Sequence, residues 1–113
     1  MDYTFNCTLD RVIDGDTIDA YIDLGFNVSI HKRIRLYGID APETRTKDLE
    51  EKSSGLLAKA RLVELLDENN NKFLLHSVTV GKFGRCIGRI YTDPDKSINT
   101  ILIEESLAVP YNK

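Results

Sequence analysis

Apolar residues recur at every second position in several short runs of this chain, and that period belongs to extended strands with one buried face. Tyr3, Phe5, Cys7 and Leu9 alternate with polar neighbours, and Ile18, Ala20, Ile22 and Leu24 alternate with Asp19, Tyr21 and Asp23. Between these runs, Arg11 to Thr17 reads RVIDGDT, in which Asp and Gly favour a turn. Gly25, Phe26 and Asn27 turn the chain again, and Val28 to Tyr37 forms a third strand. Three strands on short connections predict an antiparallel meander. Phe73, Leu75 and Val78 mark a fourth strand within Lys72 to Val80, and Ile87, Ile90 and Tyr91 a fifth within Cys86 to Thr92.

A helix separates the third strand from the fourth. Leu56, Leu57, Ala60, Val63 and Leu66 recur at helical spacing, with Lys59, Arg61 and Glu64 on the outer side. Asp48 and Glu51 form a capping box that would start the helix early, whereas Ser53 or Ser54 would cap a later start. Gly55 favours the later start, since glycine inside a helix costs about 1 kcal/mol relative to alanine. Asp93, Pro94 and Asp95 read as a turn, Ile98 to Glu105 as a short helix capped by Ser97, and Leu107 to Lys113 as a tail. The expected fold is mainly β with helices (α+β): a five-stranded Greek-key barrel of the OB type, with one helix inserted between strands 3 and 4 and a short C-terminal one. Closing the barrel removes the edges that five short strands would leave exposed. At 113 residues, the span 1–113 is expected to be a single domain that builds its core without staples.

Composition excludes several classes of function. A net charge of -3 argues against a general electrostatic grip on nucleic acid, so any polyanion site must be local. Cys7 and Cys86 lack zinc-ligand spacing and read as reduced core or near-core residues, while His31 and His76 are isolated. No apolar run reaches membrane-spanning length, and no secretory signal is visible at the N-terminus. A cytoplasmic monomer is the expectation, with secretion open if a signal was removed.

Charge gathers near three turns: Asp14 and Asp16 in the first, Arg35, Asp40 and Glu43 in the second, and Lys82 and Arg85 in the third. Arg33, on the same face of the third strand as Arg35, reads as a solvated strand-end charge. Gly38 permits a sharp turn, and Pro42 holds Ala41 extended and stops the strand. Carboxylate oxygens suit a hard cation such as calcium or magnesium, and guanidinium groups bind phosphate bidentately. Together they suggest phosphoryl transfer, with arginines and a cation stabilising charge and a free carboxylate activating water.

The DGDT at Asp14 to Thr17, the RLYGIDAPE at Arg35 to Glu43 and the KFGR at Lys82 to Arg85 occur in one order over nearly the whole chain. In that order and spacing the chain resembles the staphylococcal nuclease (thermonuclease) family. The resemblance implies Asp16, Asp40 and the backbone carbonyl of Ala41 as calcium ligands, and Glu43 as general base or water-orienting group. It implies Arg35 and Arg85 on the phosphate of the transition state, Lys82 on a neighbouring phosphate, and Phe83 and Tyr111 as aromatic substrate contacts. Asp14 and Thr17 would support the metal loop. The implied activity is a calcium-dependent endonuclease of low sequence specificity, acting on DNA with RNA as a second candidate, whose products end in 3'-phosphate groups.

The chain departs from the familiar secreted members, which are basic and carry a further C-terminal helix, and weaker, more salt-sensitive substrate binding is expected. The alternative is a catalytically silent OB-type module that binds nucleic acid or protein. It has no need of the acidic pocket that Asp16, Asp40 and Glu43 would form.

Overall fold

A computed structural model describes residues 3–80 and 84–111. Five strands close into a barrel: β1 (Tyr3–Asp14), β2 (Thr17–Gly25), β3 (Val28–Leu36), β5 (Lys72–Val80) and β6 (Cys86–Tyr91), in the order β1-β2-β3-β6-β5. The OB-type expectation holds, and the first three strands form the expected antiparallel meander. Two helices, α1 (Leu49–Asp67) and α2 (Ile98–Glu104), flank the barrel, and β4 (Ile39–Asp40) pairs with β7 (Val109–Pro110) in a small second sheet. The tail from Leu107 is thus partly strand, and the backbone N–H of Tyr111 continues the pairing with the Gly38 carbonyl at 2.8 Å.

Most of the alternating residues face inward as their period requires, whereas Tyr3, Leu24 and Val28, at the strand ends, stay exposed. Cys7, Val12, Ile18, Ala20, Ile22, Ile34, Leu36, Phe73, Leu75 and Ile90 fill the core. The RVIDGDT segment interrupts β1 less than the sequence suggests. The strand runs on to Asp14 with irregular register after Leu9 and Val12, leaving Gly15 and Asp16 as the turn.

The barrel closes through a parallel seam, where Ile34 pairs with Cys86, Arg35 with Ile87 and Leu36 with Gly88. Asn99, buried on α2, ties this seam together. Its side-chain amide donates to the carbonyls of Tyr37 at 2.8 Å and Gly88 at 3.2 Å, and its oxygen accepts from the Ile90 N–H at 3.1 Å. Ser97 caps α2 as expected, accepting from the Thr100 N–H.

Helix α1 corrects two expectations. It starts early, capped by the Asp48 carboxylate, which accepts from the N–H groups of Glu50 and Glu51. Its buried face is Gly55, Ala58, Leu62, Leu65 and Leu66, whereas Leu56, Leu57 and Val63 stay exposed. Close approach is the reason for both. A Cβ on Gly55 would lie 2.6 Å from the Glu43 carbonyl oxygen and 2.8 Å from that of Pro42. The glycine is therefore where the helix touches the loop after β4, and it sits inside the helix despite its propensity.

Candidate active site

Three elements converge at one end of the barrel. The Gly15–Asp16 turn packs beneath α1, so that a Cβ on Gly15 would stand 2.6 Å from the Ala58 Cβ and 3.0 Å from that of Ala41. Asp16 is buried, and its carboxylate accepts from the Ala41 N–H at 2.8 Å and from the Thr17 hydroxyl at 2.8 Å. The Asp14 carboxylate accepts from the Thr44 hydroxyl at 2.6 Å, which pins the loop carrying Glu43 to the same turn. Asp14 and Thr17 thus each hold one hydrogen bond at this turn, to Thr44 and to Asp16.

Arg35 joins the turn to β4. Its Nη1 donates to the carbonyls of Leu36 at 3.0 Å and Ile39 at 2.9 Å. Its Nη2 lies 3.6 Å from Asp16 Oδ2 and 3.4 Å from Asp40 Oδ1. One guanidinium nitrogen therefore serves two carboxylates from different segments. The Tyr111 ring lies 5.9 Å from the Arg35 guanidinium carbon, within reach of a cation–π contact. The β4–β7 pairing delivers Tyr111 to this place.

Arg85 enters from the start of β6, beside β3 at the parallel seam. With Arg35, Gly38, Ile87 and Tyr111 it lines a cavity of 410 Å³. Its Nε is buried and, among the described residues, has no hydrogen-bond partner. A buried donor without a partner costs about 1–3 kcal/mol, so the Arg85 guanidinium keeps unused hydrogen-bonding capacity beside the cavity.

Glu43 is exposed on the loop after β4, and its backbone N–H donates to Glu51 Oε2 at 3.4 Å. Among the described residues, no hydrogen bond or ion pair ties its carboxylate to the Asp16–Arg35–Asp40 group. Lys82 and Phe83 lie outside the described residues. Among the described residues, no three His, Cys, Asp or Glu side chains are grouped closely enough to hold a metal ion by themselves. Asp16 and Asp40 nevertheless both approach Arg35 Nη2, at 3.6 Å and 3.4 Å, and carboxylate oxygens are the donor type that a hard divalent cation takes.

The sequence reading missed Asp19 and its arginines. Asp19 pairs across β2 with Arg11 on β1 and Arg33 on β3. Its buried carboxylate accepts from Arg33 Nε at 2.8 Å, Arg33 Nη2 at 3.2 Å and Arg11 Nε at 2.9 Å. The Arg33 hydrogen bond outweighs the cost of burial, and with Arg11 it holds the Asp19 carboxyl down at about 2. Arg33 is thus a fixed fork rather than a freely solvated charge. The only available signal was the cross-strand register, which a sequence alone does not display.

The model of the family described as "Staphylococcal nuclease homologue" matches residues 33–113. The chain is also 33% identical over 106 residues to Endonuclease YncB of Bacillus subtilis (strain 168), an alignment that covers 91% of this chain and 46% of that protein. It thus spans about half the length of the curated relative it matches.

Proposed function

The chain belongs to the staphylococcal nuclease family, and on that premise we propose that it is an endonuclease that hydrolyses phosphodiester bonds with the help of a divalent cation. The observation that carries the reading is the placement of Arg35, with Nη2 beside Asp16 and Asp40, next to an Arg85 whose buried Nε lacks a partner among the described residues. A silent binding module would have no use for carboxylates in a pocket meant for a polyanion.

In this reading Arg35 and Arg85 grip the non-bridging oxygens of the scissile phosphate and hold it in the cavity they line. Their charge counters the negative charge that grows as a fifth oxygen approaches phosphorus. The Glu43 carboxylate orients the attacking water and takes its proton. The new bond joins the water oxygen to phosphorus, the bond from phosphorus to the 5'-oxygen breaks, the leaving oxygen takes a proton from solvent, and the products are a 3'-phosphate and a 5'-hydroxyl. A cation held by Asp16, Asp40 and the Ala41 carbonyl, calcium by the family resemblance, would add positive charge beside the phosphate. Tyr111 offers its ring to a base or sugar, and Lys82 and Phe83 take the substrate contacts that the resemblance assigns them. The substrate is DNA, with RNA as the second candidate, cut with little sequence preference. In this reading residues 1–113 act as one monomeric domain.

The test is incubation of the purified protein with end-labelled single-stranded DNA, duplex DNA and RNA, in Ca²⁺, in Mg²⁺ and in chelator, with the product ends identified. Calcium-dependent cleavage leaving 3'-phosphates is expected. Binding without cleavage in any metal would return the silent module.

A further inference from the structure

A second cationic groove adjoins the proposed site. A cavity of 660 Å³ is lined by Ile13, Asp14, Thr17, Arg33, Arg45 and Arg85. Arg85 lines both this groove and the 410 Å³ cavity that contains Arg35, so the two are continuous through one side chain. We infer that the groove formed by Arg33 and Arg45 binds the phosphate of the polynucleotide next to the one held by Arg35 and Arg85. This rests on the nuclease reading for the polymer but not on hydrolysis taking place.

Spacing supports the inference. Arg33 and Arg35 lie two residues apart on the same face of β3, about 7 Å along the strand, a length of the order of one step between phosphates of an extended chain. Arg33 precedes Ile34 as Arg85 precedes Cys86, the seam partner of Ile34, so Arg33 and Arg85 face each other at the mouth of the seam.

The side chains are prepared for an anion. Asp19 takes Nε and Nη2 of Arg33, and Nη1 has no partner among the described residues. The fork is thereby fixed with donors to spare, which lowers the ordering cost when a ligand binds. Arg45 is exposed and has no hydrogen bond or ion pair among the described residues. Asp14 is the one carboxylate lining the groove, and the Thr44 hydroxyl and N–H already occupy its Oδ1. Counting Asp19, which both Arg33 and Arg11 grip, four arginines stand against two carboxylates, so the groove stays locally cationic in a chain whose net charge is -3.

The test is the salt dependence of binding of a ten-nucleotide oligo-dT to the full chain carrying Glu43→Gln, alone and combined with Arg33→Gln, Arg45→Gln or Arg35→Ala. On a single strand each lost phosphate contact should flatten the slope of log K against log salt by about 0.7. Arg33→Gln and Arg45→Gln are each expected to flatten it by that amount and to weaken binding about 5- to 20-fold at low salt. Arg45→Gln carries the test if Arg33→Gln, by loosening Asp19, unfolds the protein. An unchanged slope in both, with the slope reduced in Arg35→Ala, would overturn the inference and leave the nuclease reading intact. Flattened slopes in a chain whose unsubstituted form cleaves nothing would uphold the groove and overturn the hydrolysis. Absence of oligonucleotide binding by the Glu43→Gln protein alone would overturn both.

Discussion

The carboxylate of Asp16 accepts the backbone N–H of Ala41 at 2.8 Å, joining two segments that are 25 residues apart in sequence. Because the bond is buried and its donor is main chain, the carboxylate is fixed by the fold rather than by the rotamer of a second side chain. Asp40, one residue before Ala41, is brought by the same loop to within 3.4 Å of Arg35 Nη2, which also lies 3.6 Å from Asp16. Placement of the charges therefore depends on backbone contacts, and several consequences can be measured.

Gly55→Ala should destabilise the protein although alanine is the better helix former. The gain in propensity is about 1 kcal/mol. The added Cβ would stand 2.6 Å from the Glu43 carbonyl oxygen, and such overpacking costs about 1–3 kcal/mol or more. A net loss of about 1–2 kcal/mol in urea unfolding is expected, with a fall in activity because the displaced loop carries Glu43. A stabilised variant would mean that the loop yields freely.

Asn99→Ala should cost about 3 kcal/mol in the same experiment. It removes bonds to two carbonyls and one N–H at the barrel seam and leaves buried polar groups without partners. Near-native stability would show that the seam holds without it.

Asp19 should give stability a marked acid dependence. Its carboxyl is depressed from 3.8 to about 2, chiefly by the Arg33 hydrogen bond, so its contribution is complete above about pH 4 and is lost as pH falls toward 2. Allowing for the solvent exposure of both arginines, the contribution is about 1–2 kcal/mol. The stability difference between the protein and Asp19→Asn should shrink over that interval. A difference independent of pH would place the effect in packing.

A divalent cation should raise the melting temperature, since Asp16 and Asp40 are drawn toward the same point and binding to the folded state stabilises it. A Ca²⁺ titration followed by thermal melting is expected to show the rise, and Asp40→Asn to reduce it. A flat titration would count against the donor set.

Most of the barrel was legible in the sequence because inward-facing residues of a half-buried strand alternate with outward ones, as Ile18, Ala20 and Ile22 do. Helix α1 was legible as a helix but not in its facing. Its apolar residues lie on two sides, and the contact surface is chosen by Gly55 and Ala58, whose small size a hydropathy pattern does not weigh. At the site, charge near turns was visible, but the meeting of Asp16, Arg35 and Asp40 was not, since their spacing permits many folds. Only the family resemblance implies from sequence that these segments meet. The Arg11–Asp19–Arg33 row escaped both, because it depends on a register set by bulges in β1.

The most direct measurement is the cleavage rate of single-stranded DNA by Glu43→Gln beside the unsubstituted protein, in Ca²⁺, with oligonucleotide affinity and melting temperature determined on both. The substitution keeps shape and removes only the proton acceptor, so kcat should fall about 10²- to 10⁴-fold while affinity and melting temperature stay close to those of the parent. Turnover within a few-fold of the parent would contradict the role of Glu43 and with it the proposed mechanism.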